Sequence, residues 1–344
     1  MSLRDFKTKL RASDDFAQYS LRATFFARTL RGMRLFETIQ EIHEITKLKK
    51  GFPWKNPQDL GIEPDAWRRI EGASINPLLI FCHPRVIAEQ PRLLLYYRTL
   101  ALISQKGLGK LISGNLAAIE GGKVERLDAE WVGEVTFALN SILSAIVLTA
   151  AEIDAKRFPG YQFATAGTTI QGSWNNAIGS EGEKAVKTIL VNNLSDEIEQ
   201  IGWRTGGAVA YSADLHPSLI DRLDDVRVIR LKEGFHLLFA SEPDISLRNP
   251  GDVPQVAIEV KAGADPAGAL ERLGAAMKSF ENDRALNPRV KTVYVVRCIT
   301  PELDSRIREM HPFDYTFGLA ELLTNERTQK RFASLLIRHV LKKA

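Results

Sequence analysis

The stretch from residue 255 to residue 299 limits more than any other what this chain can fold into. QVAIEVK (255–261) is a short apolar run rich in β-branched residues and reads as a strand. DPAGALERLGAAMKSFENDRAL (265–286) follows with helical periodicity. Its start is well marked, because Asp265 suits an N-cap and Pro266 suits the first helical position. VKTVYVVRCI (290–299) is a second strand. Strand, helix and strand in this order make a right-handed crossover with the two strands parallel. Just upstream, RVIRLKEGFHLLFASEPDIS (227–246) alternates in the manner of a strand, with a turn expected at Glu233-Gly234. The C-terminal half is therefore expected to be a β-sheet covered by helices.

The first half reads differently. Ser13, followed by Asp14 and Asp15, gives a cap and acidic first turn to one long helix through residue 45. PRLLLYYRTLALISQKGLGKLI (91–112) is helical up to breakers at Gly107 and Gly109, and an apolar helix is expected from about 128 to 153. RFPGYQFATAGTTIQGSWNNAI (157–178) is rich in Gly, Thr and Ser and reads as a connection; an amphipathic helix, GSEGEKAVKTILVNNL (179–194), follows it. The expected architecture is α/β: residues 1–160 form a helical N-terminal region, and residues 161–344 form a mixed β-sheet core flanked by helices.

Composition removes several function classes. The two cysteines, Cys82 and Cys298, are far apart and suit a reducing compartment. The six histidines, His43, His83, His216, His236, His311 and His339, show no metal-ligand spacing, and His236 reads as a satisfied edge histidine rather than a base. The glycine spots KGLG and RTGG do not fit a phosphate-binding loop. The apolar run VGEVTFALNSILSAIVLTAAEI carries Glu134 and Asn140 and reads as a core helix rather than a membrane span. The N-terminus is too polar for a signal peptide, so cytoplasmic residence is the default expectation. Charge is uneven: residues 1–110 carry 19 Lys and Arg against 11 Asp and Glu, while the remainder has an acidic surplus. A basic front suits a polyanionic partner, and Arg28, Arg31 and Arg34 recur on one helical face. Trp174, Asn175 and Asn176 read more plainly as a connection packed on the core than as polyanion contacts, Lys278 reads more readily as a solvated lysine than as a phosphate contact, and Arg204 and Lys232 are two contact candidates among a dozen others.

The stretch SEPDISLRNPGDVPQVAIEVK (241–261) carries the chemistry. Side chains alternate across a sheet, so Val256, Ile258 and Val260 point one way, and Glu259 and Lys261 the other. If the strand before it pairs with it as an antiparallel hairpin, Asp244 lies beside Glu259. Two adjacent carboxylates repel, and a divalent cation between them lets both ionise. Mg²⁺ takes one or two carboxylates and keeps waters for substrate phosphate. A lysine beside such a site can orient an attacking water and offset charge on a phosphoryl group.

Pro243-Asp244, then Glu259-Val260-Lys261, resembles the PD-(D/E)xK nuclease motif, whose superfamily includes most type II restriction endonucleases. The broader stretch, SEPDIS through IEVKAGADPAGALERLGAAMKSF, is similar to the XcyI-type restriction endonucleases, with the likeness strongest over roughly residues 172–300. The resemblance implies a restriction-endonuclease-like core and Mg²⁺-dependent cleavage of double-stranded DNA at a palindromic CCCGGG site. It implies that Asp244 and Glu259 hold the metal together with the Val260 carbonyl, and that Lys261 positions the water. It also implies an acid from the first core helix, Glu183 ahead of Glu181, at what is expected to be that helix's start. Cutting both strands implies a homodimer, and a cognate DNA methyltransferase is expected as a genetic rather than physical partner. The alternatives are a repair or modified-DNA nuclease on the same core, or a catalytically silent DNA-binding protein.

Overall fold

The computed structural model describes residues 15–48, 51–150, 154–205, 208–213, 219–240 and 242–341. His216, the cap residues Ser13 and Asp14, and the side chain of His339 lie outside the described residues. The chain forms two compact units: Arg22–Trp174, and a second built mainly on Asn175–Ala344.

The first unit is helical. Helices α1 (Asp15–Gly32) and α2 (Leu35–Lys47) stand where one helix was expected. The break falls at Arg34, whose backbone is left-handed with φ 57°. Arg28 and Arg31 stay on α1 and Arg34 leaves it, though all three are exposed. Helices α3 (Pro64–Gly72), α4 (Leu94–Leu100) and α5 (Ala129–Thr149) enclose a core that includes Ile70, Phe81, Tyr97 and Leu139. The expected breakers Gly107 and Gly109 sit inside a short helix, Gln105–Leu111, because the Ser104 hydroxyl caps it at the Gly107 N–H. The chain turns earlier instead, at Leu102, where φ is 57°.

Helix α5 begins at its Asp128 cap, which accepts from the N–H groups of Glu130 and Trp131. Among the described residues it is the one helix long and apolar enough to cross a membrane. Its buried face is nevertheless built for a protein interior. Asn140 is fully buried, accepts from the Cys82 N–H at 2.7 Å, and donates to the carbonyls of Cys82 and Leu60. A second buried polar tie, the forked Arg98–Glu120 pair, is 1% and 5% exposed.

The expected connection at 157–178 is part of helix α6 (Phe158–Asn193), 36 residues long, which begins in the first unit and ends in the second. Its Thr and Ser residues satisfy themselves within the helix: Thr165 bonds the Tyr161 carbonyl and Ser173 that of Thr169. Thr165 also reaches the Thr99 carbonyl. Trp174 is 9% exposed and packs on Phe25 at 5.3 Å, so it serves the core.

The second unit is an eight-stranded mixed sheet in the order β2-β1-β3-β4-β5-β6-β7-β8. The strands are β1 (Ile198–Thr205), β2 (Ala208–Ser212), β3 (Val226–Leu231), β4 (His236–Phe239), β5 (Ile245–Arg248), β6 (Pro254–Lys261), β7 (Lys291–Val296) and β8 (Tyr315–Gly318). The stretch 235–246 is two strands rather than one, and β4 and β5 pair antiparallel across the 240–244 segment. Strands β5 and β6 also pair antiparallel, while β6, β7 and β8 run parallel, as the strand–helix–strand pattern requires. The turn at Glu233-Gly234 is present, both residues having positive φ.

Alternation divides the sheet cleanly. Val256, Ile258, Val260, Val293 and Val295 face a core closed by Ala185, Val186 and Leu190 of α6. Leu322 of α10 (Leu319–Thr324) and Phe332 of α11 (Glu326–Leu341) close it further. Tyr294 and Val296 face the other way, against α7 (Ala269–Ser279) and α9 (Pro301–Met310), with α8 (Glu281–Leu286) between these helices in the chain. Each such aliphatic side chain contributes about 1.5–3 kcal/mol on burial. That makes β6 and β7 the rigid centre on which the site is mounted.

Candidate active site

The end of β6 is where charge enters this apolar sheet. The β5–β6 register pairs Ile245 with Ile258, and its continuation sets Asp244 against Glu259. The Asp244 N–H donates to Glu259 Oε2 at 3.3 Å, and the Val260 N–H donates to Asp244 Oδ2 at 2.8 Å. Lys261, two residues on and on the same face, donates its ammonium to Glu259 Oε1. Asp244 is 5% exposed, Glu259 2%, and the Lys261 side chain 23%. The expected convergence of residues 244, 259 and 261 is therefore present.

Glu183 reaches the same place from α6. It lies mid-helix rather than at a helix start, since α6 continues unbroken through 179–183. A close approach sets its position: a Cβ built on Gly182 would lie 2.2 Å from the Ala262 Cβ, so α6 rides directly against the residue after Lys261. The Glu183 carboxylate is close enough to act on both Asp244 and Lys261. Glu181 is instead under the influence of Lys184 and Asp224, and burial raises its carboxyl above the usual range.

The electrostatics are those of a crowded acidic site. Burial first, and then the neighbouring Glu259 and Glu183 carboxylates, push Asp244 up to about 8. Burial pulls Lys261 down, but Glu259, Asp244 and Glu183 outweigh it and hold the ammonium above its ordinary value. Asp244 is thus an acid that ionises poorly without a further cation. Among the described residues there is no cluster of three or more His, Cys, Asp or Glu side chains at metal-ligand distances. What the site offers is a carboxylate pair with a third acid nearby, a donor set that fits a hard, oxygen-seeking ion retaining its own waters.

Two residues near the site escaped the reading of the sequence. Lys187 is 8% exposed, with its ammonium 3.3 Å from Glu183 Oε2. The Glu-x-x-x-Lys spacing on one helix was the signal for it. Tyr294 stands beside Glu259 in the parallel β6–β7 register, fully buried, and among the described residues its hydroxyl has no hydrogen-bond partner. Outside the site, His236 is a satisfied side chain, with Nε2 3.1 Å from Asp252. Arg204, Lys232 and Lys278 are exposed.

The chain matches the family model described as XcyI restriction endonuclease over residues 65–205. It is 26% identical over 294 residues to the type II restriction enzyme XcyI of Xanthomonas campestris pv. cyanopsidis, covering 81% of this chain and 78% of that protein. The chain is thus similar to the XcyI restriction endonucleases over part of its length. Cfr9I of Citrobacter freundii, also a type II restriction enzyme, is 26% identical over 262 residues, 73% of each chain. The XcyI family match lies largely on the helical unit and α6 and ends before Asp244. It overlaps the expected stretch 172–300 only at its front, while the similarity to XcyI itself spans 81% of the chain.

Proposed function

We propose that this protein is a type II restriction endonuclease that hydrolyses phosphodiester bonds in both strands of duplex DNA at a short palindrome. One observation carries the reading: Asp244 meets Glu259 across the β5–β6 pair, with the Lys261 ammonium on the same carboxylate. Nothing in packing alone calls for two buried carboxylates and an ammonium at one strand end, because burying charge is costly. The similarity to XcyI and Cfr9I over most of the chain supports the same class of enzyme.

In this reading Asp244 and Glu259 hold a Mg²⁺ ion, with Glu183 and the Val260 carbonyl as further ligands. The bound ion supplies an acidified water and neutralises charge on the phosphoryl oxygens. The chain's own part is to hold and orient. The Val260 N–H fixes Asp244 Oδ2, which leaves the carboxylate little freedom to turn. Lys261 is tied to Glu259 and only partly exposed, so its ammonium can move from that carboxylate to an attacking water or a phosphate oxygen. The exposed Arg28, Arg31 and Arg34 are suited to phosphate contact, which makes binding fall steeply with salt. Symmetric cleavage of a palindrome calls for a homodimer whose twofold axis coincides with that of the site.

The test is digestion of a plasmid of known sequence with the purified protein in magnesium. Discrete fragments are expected, and CCCGGG is the first site to map because of the XcyI resemblance. A smear, or cutting only of modified DNA, would support a different nuclease task on the same core.

A further inference from the structure

Asp244, Glu259 and Lys261 meet at the end of β6, Glu183 acts on Asp244 and Lys261 from α6, and Lys187 is tied to Glu183, so the pairing is selective. Lys261 bonds Glu259 from the same strand face. Lys187 bonds Glu183 at 3.3 Å, one helical turn along α6. Asp244 alone has no lysine of its own and takes a backbone N–H instead. Without a metal, two of the three carboxylates are each neutralised by an ammonium.

Lys187 is an unusual place for a charge. Its side chain is only 10% exposed, and it sits among the Ala185, Val186 and Leu190 positions that close the sheet's core. The ammonium lies 5.0 Å from the centroid of the Phe239 ring. Phe239 ends β4, directly before the segment in which the Ala240 N–H bonds the Asp244 carbonyl. Burying an ammonium costs free energy that a carboxylate and an aromatic face offset only in part. A methionine or leucine would fill this position without that cost, so packing does not account for the lysine.

We propose that Lys187 is a positioning residue for the metal site: it holds Glu183 in place as a built-in counter-ion and competes with the divalent ion for that carboxylate. The proposal rests on the endonuclease reading and adds to it a residue that sets how tightly the ion is bound. A divalent ion that draws on Glu183 must outbid an ammonium already seated there. The lysine therefore keeps the acid oriented and keeps the ion exchangeable.

Calcium binding to the full-length protein, measured by titration calorimetry without DNA, tests this directly. Lys187→Met and Lys187→Gln each remove one positive charge beside the site and should tighten calcium binding about three- to tenfold, the size expected for a unit charge lost at close range in a partly screened site. Lys187→Arg keeps the charge and should stay within about twofold of the native affinity on the same grounds. Cleavage by the Met and Gln variants in magnesium should slow, because Glu183 has lost its hold. General damage would weaken calcium binding, so tightening is a readout that a merely structural role does not produce. Unchanged or weaker calcium binding by folded Met and Gln variants overturns the proposal. Glu259→Ala separates the two readings: if it binds calcium as the native protein does, the site assignment fails and takes Lys187 with it. If Glu259→Ala loses calcium while the Lys187 variants gain nothing, only the Lys187 proposal falls.

Discussion

Asp244 and Glu259 face each other across neighbouring antiparallel strands, with the Asp244 N–H 3.3 Å from Glu259 Oε2. This one relationship makes the end of β6 a place where negative charge accumulates. The first consequence is for variants. Asp244→Asn and Glu259→Gln keep the shape and remove one charge each. Both are expected to abolish cleavage in magnesium; Asp244→Asn should also raise the melting temperature of the metal-free protein above pH 8, where the native pair repels, whereas Glu259→Gln leaves the Lys261 ammonium without its carboxylate and should lower it. Thermal melts in a chelator check the second half, and a lower melting temperature for Asp244→Asn would contradict it.

A pH dependence follows from the same crowding. The Asp244 carboxyl ionises at about 8 in the folded protein, against a usual value of 3.8. A raised acid favours the folded state while protonated, so its contribution is fully present below about pH 4 and is lost as pH climbs through about 8. Metal-free protein should therefore melt progressively lower from pH 5 to pH 9 through this group, and the stabilisation by added calcium should grow over the same range. Melts with calcium and with chelator at each pH measure the difference. A calcium effect that shrinks as pH rises would count against it.

Gly182 links the helix to the strand end. An added Cβ would meet the Ala262 Cβ at 2.2 Å, and neither group is a flexible tip that can swing away. Gly182→Ala gains about 1 kcal/mol of helix propensity but incurs overpacking of about 1–3 kcal/mol. Denaturant titration should show a net loss of stability. Because α6 also carries Glu183, cleavage should fall by more than the lost folded fraction accounts for. A variant with native stability and native rate would show that the close approach is dispensable.

Tyr294 gives a prediction of opposite sign. Its hydroxyl is buried with no partner among the described residues, and burial, with Glu259 nearby, keeps it from ionising. Tyr294→Phe removes a polar atom that cost desolvation and gained no bond, so stability should rise by about 1 kcal/mol. A loss of similar size in denaturant titration would mean that the hydroxyl is bonded through a water.

The sequence displayed the acidic end of β6 better than its helical half, for physical reasons. Strand alternation around Ile258 and Val293 is a local signal that the sheet merely uses, and the Asp265 and Pro266 helix start is equally local. Helix α6 was obscured between 158 and 178 because Gly, Thr and Ser disfavour a helix in isolation. Here Thr165 and Gln162 bond the carbonyls of Thr99 and Tyr96, tertiary partners that no local pattern displays. The same continuity hid the true setting of Glu183, which lies in mid-helix beside Ala262 rather than at a helix start. Lys187 was passed over as one lysine on an amphipathic helix, although its spacing from Glu183 was visible.

The initial rate of plasmid cleavage in magnesium by the Glu259→Ala variant, set beside the native protein at equal concentration, tests the assignment of the site most directly. The native protein should produce discrete fragments that a chelator prevents, and the folded variant should produce none. Cutting by the variant at near the native rate would contradict the assignment of catalysis to the end of β6.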